Sequence, residues 1–357
     1  LPEAKKIRTL AFRSLVVKDS ASTLVLPTHT PALFEAAVAR ASGLLKAGGL
    51  VALPTETVYG LAANALDSDA VARIFDVKGR PANNPVIVHV ASLDLARQCA
   101  LEWPNVADRL ARAFWPGPLT MVLKRSHLVP NIVTAGGETV AIRWPSHPLM
   151  QSVIRACGFP LAAPSANISS EISPTNADHV RNSIGSRVPL IIDGGQCQVG
   201  IESTVVDLTG EPPRVLRPGM IHADALIAVT GKLANVVPAP SGIEPLRSPG
   251  LLAKHYAPKA RLLILSWRDD ADLISQLSHE NCALSGIHVI SHANIPSNPG
   301  FGRVSVIPHD AEAFARAIYA ELHRCDEAGA KLILVEAPPE SVEWHAVSDR
   351  LKRAAAS

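Results

Sequence analysis

The sequence predicts an α/β protein of two domains, a larger mixed α/β domain over residues 20–230 and a smaller parallel α/β domain over residues 261–357. Three observations carry this. Continuously apolar, β-branched runs alternate with Ala/Leu-rich stretches of helical length, the pattern of buried strands between helices. The alternation breaks over residues 231–260, where prolines and glycines crowd and no long periodicity survives, as in a linker. The length of 357 residues is that of about two domains of common size. Hydrophobic residues at 47% and charged residues at 18% exclude a wholly disordered chain, and 4% aromatics leave a core of Val, Leu, Ile and Ala.

The elements follow in order. Residues 31–47 (PALFEAAVARASGLLKA) begin with a proline and stop at Gly48-Gly49, which predicts a helix with a breaker at its end. LVALP follows as a short buried strand. Residues 67–77 predict a second helix, capped by Asp67 or Ser68. PVIVHV, 85–90, is a central strand. A helix near 104–114 precedes the strand PLTMVLK; TVAIRWP is another strand, HPLMQSVIRAC a helix and PLAAP a short strand. VPLIIDGG, STVVDL and PRVLRPG supply the remaining strands of the first domain. In the second, RLLILSW, IHVIS and KLILVEAPP are strands. DDADLISQLSHE, the long amphipathic DAEAFARAIYAELHRCDEAG and HAVSDRLKRAAA are helices, an alternation that predicts a small parallel sheet covered on both faces.

Charge is nearly balanced, 34 Lys+Arg against 32 Asp+Glu, so bulk charge gives no argument for a nucleic-acid coat or a basic membrane patch. The five cysteines, at 99, 157, 197, 282 and 325, are odd in number and show no CxxC spacing. They read as free thiols of a reducing compartment. No apolar stretch reaches the ~20 residues that cross a bilayer, and the expectation is a cytoplasmic protein without membrane partners.

A P-loop, an HExxH motif and a GxSxG elbow are all missing from the sequence. Polar residues gather instead at strand ends, where α/β sheets bind ligands. In PTETVYGL, Thr55, Thr57 and Tyr59 alternate, and an extended chain would point their hydroxyls to one side; a turn capped by threonines is the competing reading. In DVKGRPANNP, Lys78 and Arg80 flank Gly79 and suit a polyphosphate, although a solvated charged turn has the same spacing. His89 ends the next strand, where a histidine is more often a packing residue. Ser165 and Asn167 follow a short strand in APSANISS; Ser203 and Thr204 lie in GIESTVVD, Arg217 in RVLRPG and Thr120 in PLTMVL. Arg143, at the end of TVAIR, needs a partner for its charge. That partner is an anionic ligand or a carboxylate such as Glu56 or Glu202. These residues alone predict binding of a phosphorylated compound in which positioning carries the catalysis, and name no reaction.

The fragments GGLVALPTETVYGLAANA, KGRPANNPVIVHV, FWPGPLTMVL, VAIRWPSHP, APSANISS, GIESTVVDL and VLRPG, in that order, closely resemble the threonylcarbamoyl-AMP synthase family. RSPGLLAKHYAP and the second domain resemble its long, two-domain branch. The resemblance implies a YrdC-like mixed twisted sheet domain followed by a Rossmann-like parallel α/β domain. It implies an ATP-dependent nucleotidyltransferase that joins L-threonine, bicarbonate or CO2, and ATP into threonylcarbamoyl-AMP and pyrophosphate, with Mg2+ accompanying ATP and no tightly bound cofactor. The product would serve N6-threonylcarbamoyladenosine modification of tRNA position 37 through a downstream tRNA threonylcarbamoyl-transfer complex, with at most weak tRNA binding by this chain.

By resemblance, Lys78 and Arg80 are the catalytic basic pair on the ATP phosphates, and Ser165, Asn167 and Arg217 complete the nucleotide site. Thr57, Tyr59, His89, Thr120, Arg143 and Ser203 match the threonine and bicarbonate pocket. Ala253 stands where some members carry a tyrosine, which leaves Lys254, His255 and Tyr256 as candidates for a lid within the linker. No protein carboxylate is singled out for magnesium. The alternatives are a non-catalytic RNA-binding YrdC-like protein and a carbamoyl-group transferase with another acceptor. The balanced charge weighs against the first. Against the second weighs the lack of the cysteine-rich zinc fingers found in the larger carbamoyltransferase that matures hydrogenases.

Overall fold

In the first domain the strands are β1 (Leu24–Pro27), β2 (Val51–Leu53), β3 (Gly60–Asn64), β4 (Ile87–His89), β5 (Leu119–Lys124), β6 (Thr139–Arg143), β7 (Leu161–Ala162), β8 (Leu190–Asp193), β9 (Thr204–Asp207) and β10 (Arg214–Arg217). The helices are α1 (Pro31–Lys46), α2 (Ser68–Lys78), α3 (Leu93–Cys99), α4 (Asn105–Phe114), α5 (Pro148–Cys157), α6 (Ala177–Ile184) and α7 (Ala223–Thr230). The second domain holds β11 (Arg261–Leu265), β12 (Ile287–Ser291), β13 (Arg303–Val306) and β14 (Leu332–Glu336), with α8 (Asp270–Leu277), α9 (Ala311–Glu327) and α10 (His345–Ala355). The structure is a computed structural model and describes residues 23–234 and 255–356.

Sequence chemistry explains the helix ends. Thr30 caps α1 by accepting the Leu33 N–H, with Pro31 in the first turn. Asp67, of the two caps expected, receives the N–H groups of Asp69 and Ala70 at the start of α2. Gly79, at φ 59°, closes α2 in the left-handed conformation that costs glycine least. Both sheets match the expected class. Ten strands run in the order β1-β8-β2-β3-β7-β4-β6-β5-β9-β10 with parallel and antiparallel neighbours mixed; the second sheet, β11-β14-β12-β13, is parallel throughout. Five first-domain elements were not legible in advance: β1, β3, α3, α6 and α7. β13 was missed in the second domain. No helix among the described residues is long and apolar enough to cross a membrane.

The second domain lays α9 and α10 against the first. Gly200 marks the closest approach. A Cβ there would lie 2.4 Å from the Ala315 carbonyl oxygen and the Arg316 Cα of α9, and its φ of +86° is itself unfavourable for other residues. Nearby, Arg316 donates to Gln198 O at 2.7 Å and Asn182 to Glu327 at 2.9 Å.

His179 of α6 and His323 of α9 stack across the interface, ring centroids 3.9 Å apart. The His179 ring is seated as the neutral form: the Asn176 side-chain amide, whose oxygen caps α6, donates to Nε2 at 3.2 Å, and Nδ1 lies 3.3 Å from the Thr175 hydroxyl, which can accept the one ring proton. Burial, then the neighbouring His323 and Arg324, pull the His179 pKa down to about 3. An unfolded imidazole titrates near 6.5. Below that pH the unfolded state therefore binds the proton that the folded ring refuses. The stabilisation is complete above about pH 6.5 and is lost as the pH falls toward 3. Calorimetric melting temperatures should be flat above about pH 7 and decline below 6.5. His179→Phe, a flat ring that does not titrate, should make that decline shallower; an unchanged slope would remove this interface from the acid response.

Candidate active site

Sheet register assembles the site. β4 and β6 are parallel with His89 opposite Arg143, and β6 and β5 are antiparallel with Arg143 opposite Thr120. Three polar residues thus form a row across adjacent strands in the middle of the sheet. Ser203, one residue before β9, places its hydroxyl 2.7 Å from that of Thr120. β10 returns antiparallel to β9, which brings Arg217 back to Ser203: its Nε donates to Ser203 O at 3.1 Å and its Nη2 to Ser203 Oγ at 3.2 Å. On the other side Arg143 donates to Thr57 Oγ1 at 2.8 Å and meets the Glu56 carboxylate at 2.7 Å. Burial alone would raise the Glu56 carboxyl; the Arg143 guanidinium outweighs it and holds the group below its usual range.

Of these, Thr57, His89, Arg143, Ser203 and Arg217 open onto one cleft, together with Thr55, Arg80, Ser165, Glu202, His255 and Tyr256. Arg80 is 8% exposed and is fixed by neutral acceptors, with Nε on Asn84 O at 2.9 Å and Nη2 on Asn84 Oδ1 at 2.7 Å. Burial pulls its pKa to about 9, so it stays a cation at neutral pH. His89 is held neutral, down to about 3, by burial first and Arg143 second. Burial, outweighing the attraction of Glu202, takes His255 to about 3 as well. The cleft therefore gathers guanidinium groups and hydroxyls around neutral imidazoles, the donor set that recognises phosphate and carboxylate oxygens.

His255 and Tyr256 bring the end of the linker into this wall. Tyr256 is 1% exposed and adopts φ 63°, a left-handed conformation that a tyrosine holds only when its surroundings impose it. The anchors are visible on both sides. The His255 N–H donates to Arg353 O in α10, and the Ala257 N–H donates to Ser170 O in the first domain. Lys254, the remaining lid candidate, lies outside the described residues.

Not every expected residue reaches the cleft. Residues 55–58 form the threonine-capped turn rather than an extended run, with Thr55 Oγ1 donating to Val58 O; Thr55 and Thr57 still share the cleft, their hydroxyls 2.9 Å apart, and Tyr59 leaves it. Tyr59 points behind the wall and donates to Gly195 O at 2.8 Å. Lys78 is no solvated turn residue: at 1% exposure it ends α2, and its ammonium donates to the carbonyls of Ser165 (2.6 Å) and Asn167 (2.5 Å). Asn167 uses its side-chain amide on Ile168 O and Glu171 O. Thr120 acts on the cleft only through Ser203. Lys78, Asn167, Thr120 and Tyr59 therefore brace the walls, while Arg80, Ser165, Thr57, His89, Arg143, Ser203 and Arg217 line them. Arg143 finds its carboxylate in Glu56, not Glu202. The residues that hold Glu202 (Ser173, Tyr319 and Arg350) were not singled out in the sequence. Arg350 sits among other basic residues in a tail helix, with no local signal that it is buried.

Residues 43–219 match the Sua5/YciO/YrdC family model, described as "Telomere recombination", and residues 221–356 match the model described as "Threonylcarbamoyl-AMP synthase, C-terminal domain". The threonylcarbamoyl-AMP synthase of Pyrococcus abyssi is 40% identical over 322 residues, covering 88% of this chain and 92% of that protein. The chain belongs to the threonylcarbamoyl-AMP synthase family. The family enzyme of Bacillus subtilis is 38% identical over 325 residues, 89% of this chain and 92% of its own. Among solved structures, P. abyssi Sua5 in complex with L-threonine superposes with a TM-score of 0.84 at 38% identity, covering 93% of this chain and 98% of that one. This member of the synthase family is thus matched along both of its regions.

The bracing role of Lys78 has a measurable consequence. Lys78→Met strips two buried carbonyls of their donor and should cost about 2 kcal/mol of stability in urea unfolding. Ser165→Ala, at the cleft surface, should stay within about 0.5 kcal/mol. Equal stability of parent and Lys78→Met would refute the bracing role.

Proposed function

We propose that this chain is an L-threonylcarbamoyladenylate synthase, using L-threonine, bicarbonate or CO2, and ATP. The observation that carries the reading is the convergence of Arg80, Arg143 and Arg217 with Ser165, Ser203 and Thr57 on one cleft whose wall includes His255 and Tyr256. The threonine amine adds to CO2, loses a proton and becomes a carbamate. A carbamate oxygen attacks the α-phosphorus of ATP; the bond from that phosphorus to the bridging oxygen breaks, and pyrophosphate leaves with the electron pair. The chemistry asks for assembly and charge stabilisation more than for a nucleophile on the protein.

The reading assigns the roles as the family resemblance implies them. Arg80 and Arg217 face the phosphates, and Ser165 the nucleotide. Arg143, oriented by Glu56 and Thr57, binds the carboxylate side; His89 and Ser203 complete the threonine and carbonate pocket. Lys78 and Asn167 hold the nucleotide loop from behind. His255 and Tyr256 shield the mixed anhydride from water. Magnesium enters as part of the ATP substrate. Among the described residues no group of His, Cys, Asp or Glu is arranged to hold a metal, and the nearby carboxylates Glu56 and Glu202 are committed to arginines. The product would be consumed in the N6-threonylcarbamoyl modification of adenosine 37 in tRNA, by a separate transfer complex, in the cytoplasm.

Purified protein should release pyrophosphate from ATP only when threonine and bicarbonate are both supplied, read by a coupled phosphate assay with each omitted in turn. Equal turnover without threonine would refute the synthase reading. Arg80→Lys should lose at least about tenfold in kcat/KM, because an ammonium cannot span the acceptors that the planar fork holds while also meeting a phosphate.

A further inference from the structure

We infer that Arg350, from the second domain, is a positioning residue for the nucleotide side of the first-domain cleft. This deepens the synthase reading and rests on it for the identity of the ligand. Arg350 is 1% exposed. Its Nε donates to the Glu202 carboxylate at 2.7 Å, and its Nη2 reaches Glu202 O at 3.3 Å and Pro218 O at 3.0 Å. Glu202 and Pro218 are the residues just outside Ser203 and Arg217, at the open end of the β9–β10 hairpin. One planar guanidinium therefore ties the two limbs of the hairpin together where they deliver Ser203 and Arg217 into the cleft. Its Nη1 is held by Asp349 at 2.7 Å, which fixes the plane of the fork.

The same group reaches the lid. The Arg350 Cζ lies 5.3 Å from the centre of the Tyr256 ring, within cation–π range. Glu202 is further gripped by Ser173 Oγ at 2.6 Å and Tyr319 OH at 3.1 Å. The Arg143, Glu56 and Thr57 cluster on the opposite side of the cleft makes no hydrogen bond to any of these groups among the described residues. The loss of Arg350 should therefore fall chiefly on Arg217 and the nucleotide, while threonine, held by Arg143 as well as by Ser203, should lose less.

The test uses the full chain, with parent, Arg350→Met, Arg350→Lys, Arg217→Lys and the double variant Arg350→Met/Arg217→Lys. Affinity for a non-hydrolysable ATP analogue and for L-threonine is measured by calorimetry at a temperature where circular dichroism shows each protein folded. Arg350→Met should weaken the ATP analogue about tenfold and threonine, which reaches this hairpin through Ser203 alone, by no more than about threefold; the analogue loss of Arg350→Lys, which keeps charge but not the fork, should fall between parent and Arg350→Met. If Arg350 acts through Arg217, adding Arg350→Met to Arg217→Lys should cost less than about threefold more. Unchanged analogue affinity in the folded variants, equal losses for both ligands, or a fully multiplicative double variant would each overturn the inference. Where Arg350→Met does not fold, Arg350→Lys decides alone: an analogue loss of at least about threefold, selective over threonine, supports it, and a smaller or unselective one overturns it. Since binding is read without turnover, failure of the parent to release pyrophosphate would count against the synthase reading and not against this one.

Discussion

A guanidinium can be taken out of water only where acceptors replace it, and four of them are buried around one cleft here. Arg80, Arg143, Arg217 and Arg350 are all below 9% exposed. Each solves the problem differently: Arg80 with neutral carbonyls, Arg143 with Glu56, Arg217 with the Ser203 carbonyl and hydroxyl, Arg350 with Glu202 and two carbonyls. Breaking a buried pair leaves a charge uncompensated, at a cost of about 3–5 kcal/mol. The sheet register, the hairpin closure and the seating of the second domain are all ways of keeping these charges satisfied while leaving one edge open to an anion.

Most of the architecture could be read from the sequence because it rests on strong local signals. The Asp67 cap, the Gly79 stop and the β-branched runs of β4, β5 and β9 were plain. β3 was not, since GLAAN has almost no strand propensity and is held in the sheet by β2 and β7. α6 and α7 are eight residues each, too short for periodicity to stand out.

The site was legible as a set of residues and much less as a geometry. Which polar groups reach the cleft depends on turns that spacing does not specify. Thr55 folds the chain back on itself and sends Tyr59 behind the wall. The end of α2 buries the Lys78 ammonium against the Ser165 loop while Gly79 releases Arg80 to the other side. Long-range partners were the least accessible. Glu202 and Arg350 are 148 positions apart, and neither carries a local mark of the other.

The Glu202–Arg350 pair also bears on how such a chain can be shortened. A first domain standing alone would keep the Glu202 carboxylate beneath its sheet end and lose the guanidinium and the Tyr319 phenol that neutralise it. The Ser173 hydroxyl and the neighbouring charge of Arg217 would remain. Shortening the chain would thus exchange a buried ion pair for a carboxylate solvated at the open end of the β9–β10 hairpin, and would untie the two limbs that the guanidinium holds together.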